Sequence, residues 1–70
     1  MKVKPGQYRH SKGHVYQVMG VAKHSETLEE LVVYSDGKNL WVRPKQMFEE
    51  KVVVGGKKVP RFKYIKSDKL

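Results

Sequence analysis

The sequence predicts an all-β protein, and two patterns predict it. Apolar runs are short and broken by Gly, Asp, Asn or Pro every eight to twelve residues. The runs are rich in Val, with Tyr among them, which suit a pleated, half-buried surface. The chain has 70 residues and reads as one domain, with an ordered core over about 5–65 and a frayed tail at 66–70. A chain this short buries only about 60% of the surface its unfolded form exposes, so its core is thin.

The first strand is expected at Gly6 to His10, followed by a turn at 11–13 in which Gly13 is free to take positive φ. The second runs from Val15 to Lys23. Tyr16, Val18, Gly20 and Ala22 alternate with Val15, Gln17, Met19 and Val21, and Gly20 in mid-strand marks a bulge or sharp coil. Thr27 and Glu30 have capping-box spacing, but Leu31 to Tyr34 is strand chemistry. Residues 25–29 are therefore read as a loop and 30–35 as the third strand. Asp36-Gly37 is a hairpin signal, and the fourth strand is Leu40 to Arg43. Pro44 opens a helical turn over 44–48, with Met47 and Phe48 plugging the core. Glu49 to Val54 is the fifth strand. After Gly55-Gly56, Lys58 to Ile65 returns as a final arm, which Pro60 confines to an edge. Five to six short antiparallel strands with one coiled strand describe a small SH3-like, partly open barrel, and an OB-like barrel is the alternative. Such a closure suits the size because it limits exposed edges.

The net charge is +8 and unevenly spread. Residues 1–24 hold five positive charges and no acid, residues 25–50 three against six acids, and residues 51–70 seven against one. Basic ends attract phosphate polymers. Twelve of the fifteen cations are Lys, the solubilising residue; only Arg9, Arg43 and Arg61 offer bidentate contacts. The absence of Cys excludes disulfides and thiolate metal sites and fits a reducing cytoplasm. No apolar run follows the N-terminal lysines as a signal peptide would require, and none approaches a membrane span of roughly 20 residues.

Several constellations could carry chemistry. His24, Ser25 and Glu26 are adjacent, but neighbours on extended backbone point apart. A self-bonded turn using the Ser25 and Thr27 hydroxyls is thus favoured over a catalytic triad. His10, His14 and His24 with Glu26 could ligate a metal or small ligand, although His10-x-x-x-His14 spacing is meaningful on a helix rather than across a turn. Trp41 and Arg43 share one face of their strand, leaving Leu40 and Val42 as the expected core face. With Tyr34 and the loop His24, Ser25, Glu26 and Thr27 they form the candidate binding face, since aromatics beside Arg make hot spots and base-stacking platforms. The opposing reading makes Trp41 a core residue, with Arg43 paired to an acid of the 26–30 loop. Lys57, Lys58, Arg61 and Lys63 form a secondary basic patch interleaved with Phe62 and Tyr64, which could follow a nucleic-acid backbone or simply protect an edge strand. No phosphate loop is present, and no paired carboxylates have general acid–base spacing.

The runs Gly6 to Tyr34, Leu40 to Phe48 and Val59 to Ile65 resemble the bacterial domain-of-unknown-function family numbered 1653, over about residues 5–65. The resemblance rests on Tyr8, His10, Gly20-x-Ala22-x-His24-Ser25-Glu26-Thr27, Val32-Val33-Tyr34, Trp41-x-Arg43-Pro44 and Met47-Phe48. It implies a compact SH3-like fold and cytoplasmic residence, and no activity. The turn at 35–39 is shorter than the family's usual insert. The functional expectation is a non-enzymatic binding module without a cofactor, monomeric or weakly dimeric, with nucleic acid or a protein or peptide segment as partner. The alternatives are a metal- or small-ligand-binding protein using His10, His24 and Glu26, and an assembly factor met at the acidic 26–30 loop.

Overall fold

A computed structural model provides the structure and describes residues 3–67. Seven strands and one helical turn follow in the order β1 (Gly6–His10), β2 (Val15–Lys23), β3 (Glu30–Ser35), β4 (Leu40–Pro44), α1 (Lys45–Phe48), β5 (Lys51–Val54), β6 (Lys57–Pro60) and β7 (Phe62–Lys66). They form a five-stranded antiparallel sheet, β4-β3-β2-β1-β7, and a separate β5-β6 hairpin. The fold is all-β as expected. The large sheet coils on itself without closing into a barrel: no strand pairs with the outer edge of β4 or of β7 among the described residues.

Two glycines make the coil possible. The β2–β3 register slips between Val18 and Gly20, where Gly20 has φ 152°. This is the expected bulge, and it swaps the faces beyond it: Val21, not Ala22, lies opposite the buried Val32. Gly6 has φ 146°, and a Cβ there would sit 2.5 Å from the Lys66 carbonyl oxygen. Only glycine lets β1 approach β7 so closely.

The concave face holds Tyr8, Val18, Val32, Tyr34, Phe48 and Phe62. Phe48, from α1, stacks on Phe62 at 4.3 Å between centroids, and Tyr8 meets Phe48 edge-on at 5.3 Å. Aromatic pairs in these geometries add about 0.5–1.5 kcal/mol each beyond area burial. Burial pushes the Tyr8 phenol pKa up, while its hydroxyl donates to the Lys4 carbonyl at 2.8 Å.

Several boundaries move for physical reasons. Pro44 closes β4 and serves as the N-cap of α1 rather than its first residue. Of the two expected plugs only Phe48 is buried; Met47 is exposed. The N–H groups of Glu49 and Glu50 donate back to Lys45 and Met47 carbonyls, so β5 starts at Lys51. The expected single arm from Lys58 to Ile65 is two strands in two sheets. Arg61 is the crossing point: its N–H donates to the Glu50 carbonyl and its carbonyl accepts from the Ser11 N–H, both at 2.9 Å. Lys66, placed in the tail by the sequence, closes β7 opposite Gln7. Residues 68–70 of that tail lie outside the described residues.

The β4 face assignment is reversed. Tyr34 pairs with Trp41 and Val32 with Arg43, so Trp41 and Arg43 share the concave face with the core. Leu40 and Val42, expected inside, are 64% and 60% exposed on the convex face. Tyr34, expected on a binding surface, is buried. The alternation in β4 was legible, but its sense depends on which face the aromatic cluster occupies.

A cationic cleft as candidate functional site

A concavity of about 700 Å³ lies between the coiled sheet and the β5-β6 hairpin. It is lined by His10 at the end of β1, Ser11 and Lys12 from the turn after it, Arg43 from β4, Val52, Val53 and Val54 from β5, and Arg61 from the crossing point. Four nitrogen-bearing side chains thus converge from three parts of the chain.

Three of them have defined contacts. The backbone of Arg61 is clamped on both sides by the Glu50 and Ser11 bonds. Its Nη2 lies 3.4 Å from Glu50 Oε1, a long contact in a partly exposed pair. Its Nε is shielded from solvent and has no hydrogen-bond partner in the structure. A shielded donor without an acceptor costs free energy, so it marks a place where an acceptor is favoured. Arg43 has its guanidinium carbon 5.4 Å from the Phe62 ring centroid, in cation–π range. No carboxylate of the described residues pairs with it, so the pairing with a 26–30 acid that the opposing reading required is not made.

The His10 ring stands edge-on to Phe62 at 4.9 Å, and its Nδ1 accepts the Lys12 N–H at 3.1 Å. The neutral ring therefore carries its proton on Nε2. Burial holds the His10 pKa below the usual histidine value, helped by the positive charges of Arg43, Arg61 and Lys12 and by His14. Burial and three nearby cations thus favour the neutral His10 ring, in a site whose acid in contact with a cleft cation is Glu50 beside Arg61.

The predicted face is only partly assembled. Arg43 and Arg61, placed in separate patches by the sequence, meet in the cleft. Trp41 stands two residues from Arg43 on the same face and is 48% exposed. Its indole N–H donates to Asp36 Oδ2 at 3.0 Å. Asp36 also accepts from the Lys38 and Asn39 N–H groups, each at 2.8 Å. These bonds, that of Asn39 first and then that of the indole, hold its carboxyl pKa down to about 2.

His24, Ser25, Glu26 and Thr27 lie apart from the cleft, at the opposite end of the nine-residue β2. They form a turn that bonds itself. His24 Nδ1 accepts the Glu26 and Thr27 N–H groups at 3.1 and 3.3 Å, and Thr27 Oγ1 accepts the Glu29 N–H at 3.2 Å. Leu28 within it has φ 63°, a left-handed conformation unfavourable for a branched residue. The same end carries a groove lined by Glu29, Glu30, Lys45, Gln46 and Glu49, with Lys45 Nζ 3.8 Å from Glu30 Oε1.

The metal reading fails on this geometry. The length of β2 separates His10 from His24 and Glu26, and no group of three or more potential ligands gathers among the described residues. In the secondary patch only Arg61 reaches the cleft. Lys63 borders a neighbouring groove with Arg9 and Pro60, and Lys57 and Lys58 are exposed along the hairpin. Sequence reasoning missed Lys12 and the Val52 to Val54 wall as site residues. No local pattern marks them, because only the topology brings the β1–β2 turn beside β5.

The fold and site define a class: a small all-β protein with a coiled five-stranded sheet, a projecting hairpin and a cationic cleft between them. Within that class the chain belongs to the family described as protein of unknown function (DUF1653), whose model matches residues 6–64. It is similar to a crystal structure of a protein of this family from Bordetella bronchiseptica, at 36% identity and a TM-score of 0.82, covering 93% of this chain and 90% of that one. No curated protein matches the chain. No helix among the described residues is long and apolar enough to cross a membrane.

Proposed function

We propose that this protein is a binding module whose cleft takes the backbone of single-stranded nucleic acid. The observation that carries the reading is the convergence of Arg43, Arg61, Lys12 and His10 on one cleft, with Arg43 unpaired. Arg61 and Arg43 present planar donors suited to phosphate oxygens. Trp41, exposed beside Arg43, offers a ring on which a base can stack. The net charge of +8 adds long-range attraction. Sequence-specific recognition does not follow from such contacts, because phosphates and ring faces are common to all bases.

Trp41 is the sole tryptophan, so its fluorescence reports directly on this face. Titration with a short oligothymidylate should change that emission. The affinity should fall with salt at a log–log slope of about −0.7 per phosphate neutralised. No change at low salt would exclude the reading. Salt-insensitive binding of an acidic peptide in its place would assign the cleft to a protein partner instead.

A further inference from the structure

The two edges of the large sheet differ in a way that bears on assembly. The β7 edge carries Lys63 and Lys66, charges that discourage strand addition. The β4 edge, Leu40-Trp41-Val42-Arg43-Pro44, has no lysine and no acid, and no bulge interrupts its pairing with β3. Leu40 and Val42 are its two most exposed apolar side chains, and Leu31 and Val33 of β3 continue the same convex stripe beside them.

We infer that the outer edge of β4 pairs antiparallel with the same edge of a second copy of this chain, about a two-fold axis at Val42. The β4 sequence is self-complementary in that register. Leu40 faces the partner's Pro44, and Val42 faces the partner's Val42. Trp41 faces the partner's Arg43, so the strand's one charge meets an aromatic ring rather than its like. Pro44, which has no N–H to donate, falls at the last pair, where a ladder bond is most easily spared. Moving the two-fold axis by one residue, to Arg43, shifts the pairing by two and would place two Arg43 side chains opposite each other. The register is therefore set by charge as well as by apolar matching. Isologous pairing of this kind closes at two copies. Five residue pairs make a small seam, and each copy carries +8, so the dimer is weak and favoured by salt.

The inference does not rest on the nucleic-acid reading, although both use Trp41 and Arg43, and the salt response separates them: strand pairing strengthens with salt whereas phosphate binding weakens. The test is sedimentation equilibrium of the ligand-free protein up to about 1 mM, where even a Kd of that size populates the dimer heavily. The expected result is a monomer–dimer equilibrium that tightens at higher salt. Val42→Lys, at an exposed convex position, puts two ammonium groups together on the axis and should weaken association at least tenfold, by about 1.4 kcal/mol. Ile65→Lys on the β7 edge should leave it unchanged. A monomer at every concentration and salt, or equal association of wild type and Val42→Lys, would overturn the inference. So would loss of the dimer in Ile65→Lys alone, which would place the seam on β7.

Discussion

The turns at the two ends of β2 share one local device and differ in what surrounds them. In the first, His10 Nδ1 accepts the N–H of Lys12; in the second, His24 Nδ1 accepts the N–H of Glu26 and of Thr27. Yet the first turn faces Arg43, Arg61 and an open cleft, while the second adjoins Glu29, Glu30 and Lys45. The second turn spends its polar groups on itself. In the first, the arginines come from elsewhere in the chain, and Arg43 has no carboxylate partner among the described residues. A conspicuous sequence motif and a functional site are thus different things here. His24 to Thr27 is conspicuous because a short turn needs several specific hydrogen bonds. The cleft is inconspicuous because its members are scattered.

Breaking the shared core should remove the contrast altogether. Phe48→Ala loses the stack on Phe62 and the edge contact to Tyr8. Such truncations cost about 3–5 kcal/mol, comparable to the whole stability of a small domain. Thermal unfolding should show no cooperative transition at ambient temperature, and a well-folded variant would contradict the packing account.

Within the folded protein, the contrast is sharpest in binding. Arg43→Ala with Arg61→Ala should lower oligonucleotide affinity at least tenfold at low salt and make the salt slope shallower by about 1.4. Glu26→Gln with Glu29→Gln, at the other end, should not weaken binding. The reverse pattern in a Trp41 fluorescence titration would move the site to the acidic turn.

His24→Ala removes the acceptor of two backbone N–H groups and should cost about 1 kcal/mol of stability, read from urea unfolding, without changing affinity. His10 should show a different signature. Its folded pKa is lowered, so between the usual value near 6.5 and the folded one the unfolded chain binds more protons. His10 therefore contributes a loss of stability as pH falls through that window. A bound phosphate favours the protonated ring, so affinity should rise by a few-fold as pH falls toward the lowered folded pKa. His10→Asn should flatten the affinity rise; an unchanged rise would remove His10 from the site. The smallest effect is expected at Leu28, where Leu28→Gly relieves the left-handed strain of about 1 kcal/mol and partly returns it as chain entropy. A slightly raised melting temperature is the outcome expected.

Much of the fold was legible. Val15 to Lys23 with its mid-strand glycine, the Asp36-Gly37 turn and the Glu30 to Ser35 strand stand where alternation and turn chemistry place them. The faces of β4 were not, because alternation gives a period and no sign. Trp41 and Arg43 lie on the core side only because Tyr34 and Val32, their partners, are buried there. The hairpin turn at Gly55-Gly56 was legible, but the division of its returning arm was hidden, because Pro60 ends one strand and Phe62 begins another with only Arg61 between them. Of the site, Arg43, Arg61 and Trp41 could be named from residue type. The convergence of the two arginines with Lys12 and His10 could not, since it depends on Arg61 bonding both Glu50 and Ser11.

The most direct test of the cleft as the binding site is an amide NMR titration of the labelled protein with a short single strand at low and high salt. The account predicts salt-sensitive shifts at residues 10–12, 41–43, 52–54 and 61, with the amides of 24–30 unmoved. Shifts centred on 24–30, or none anywhere at low salt, would contradict it.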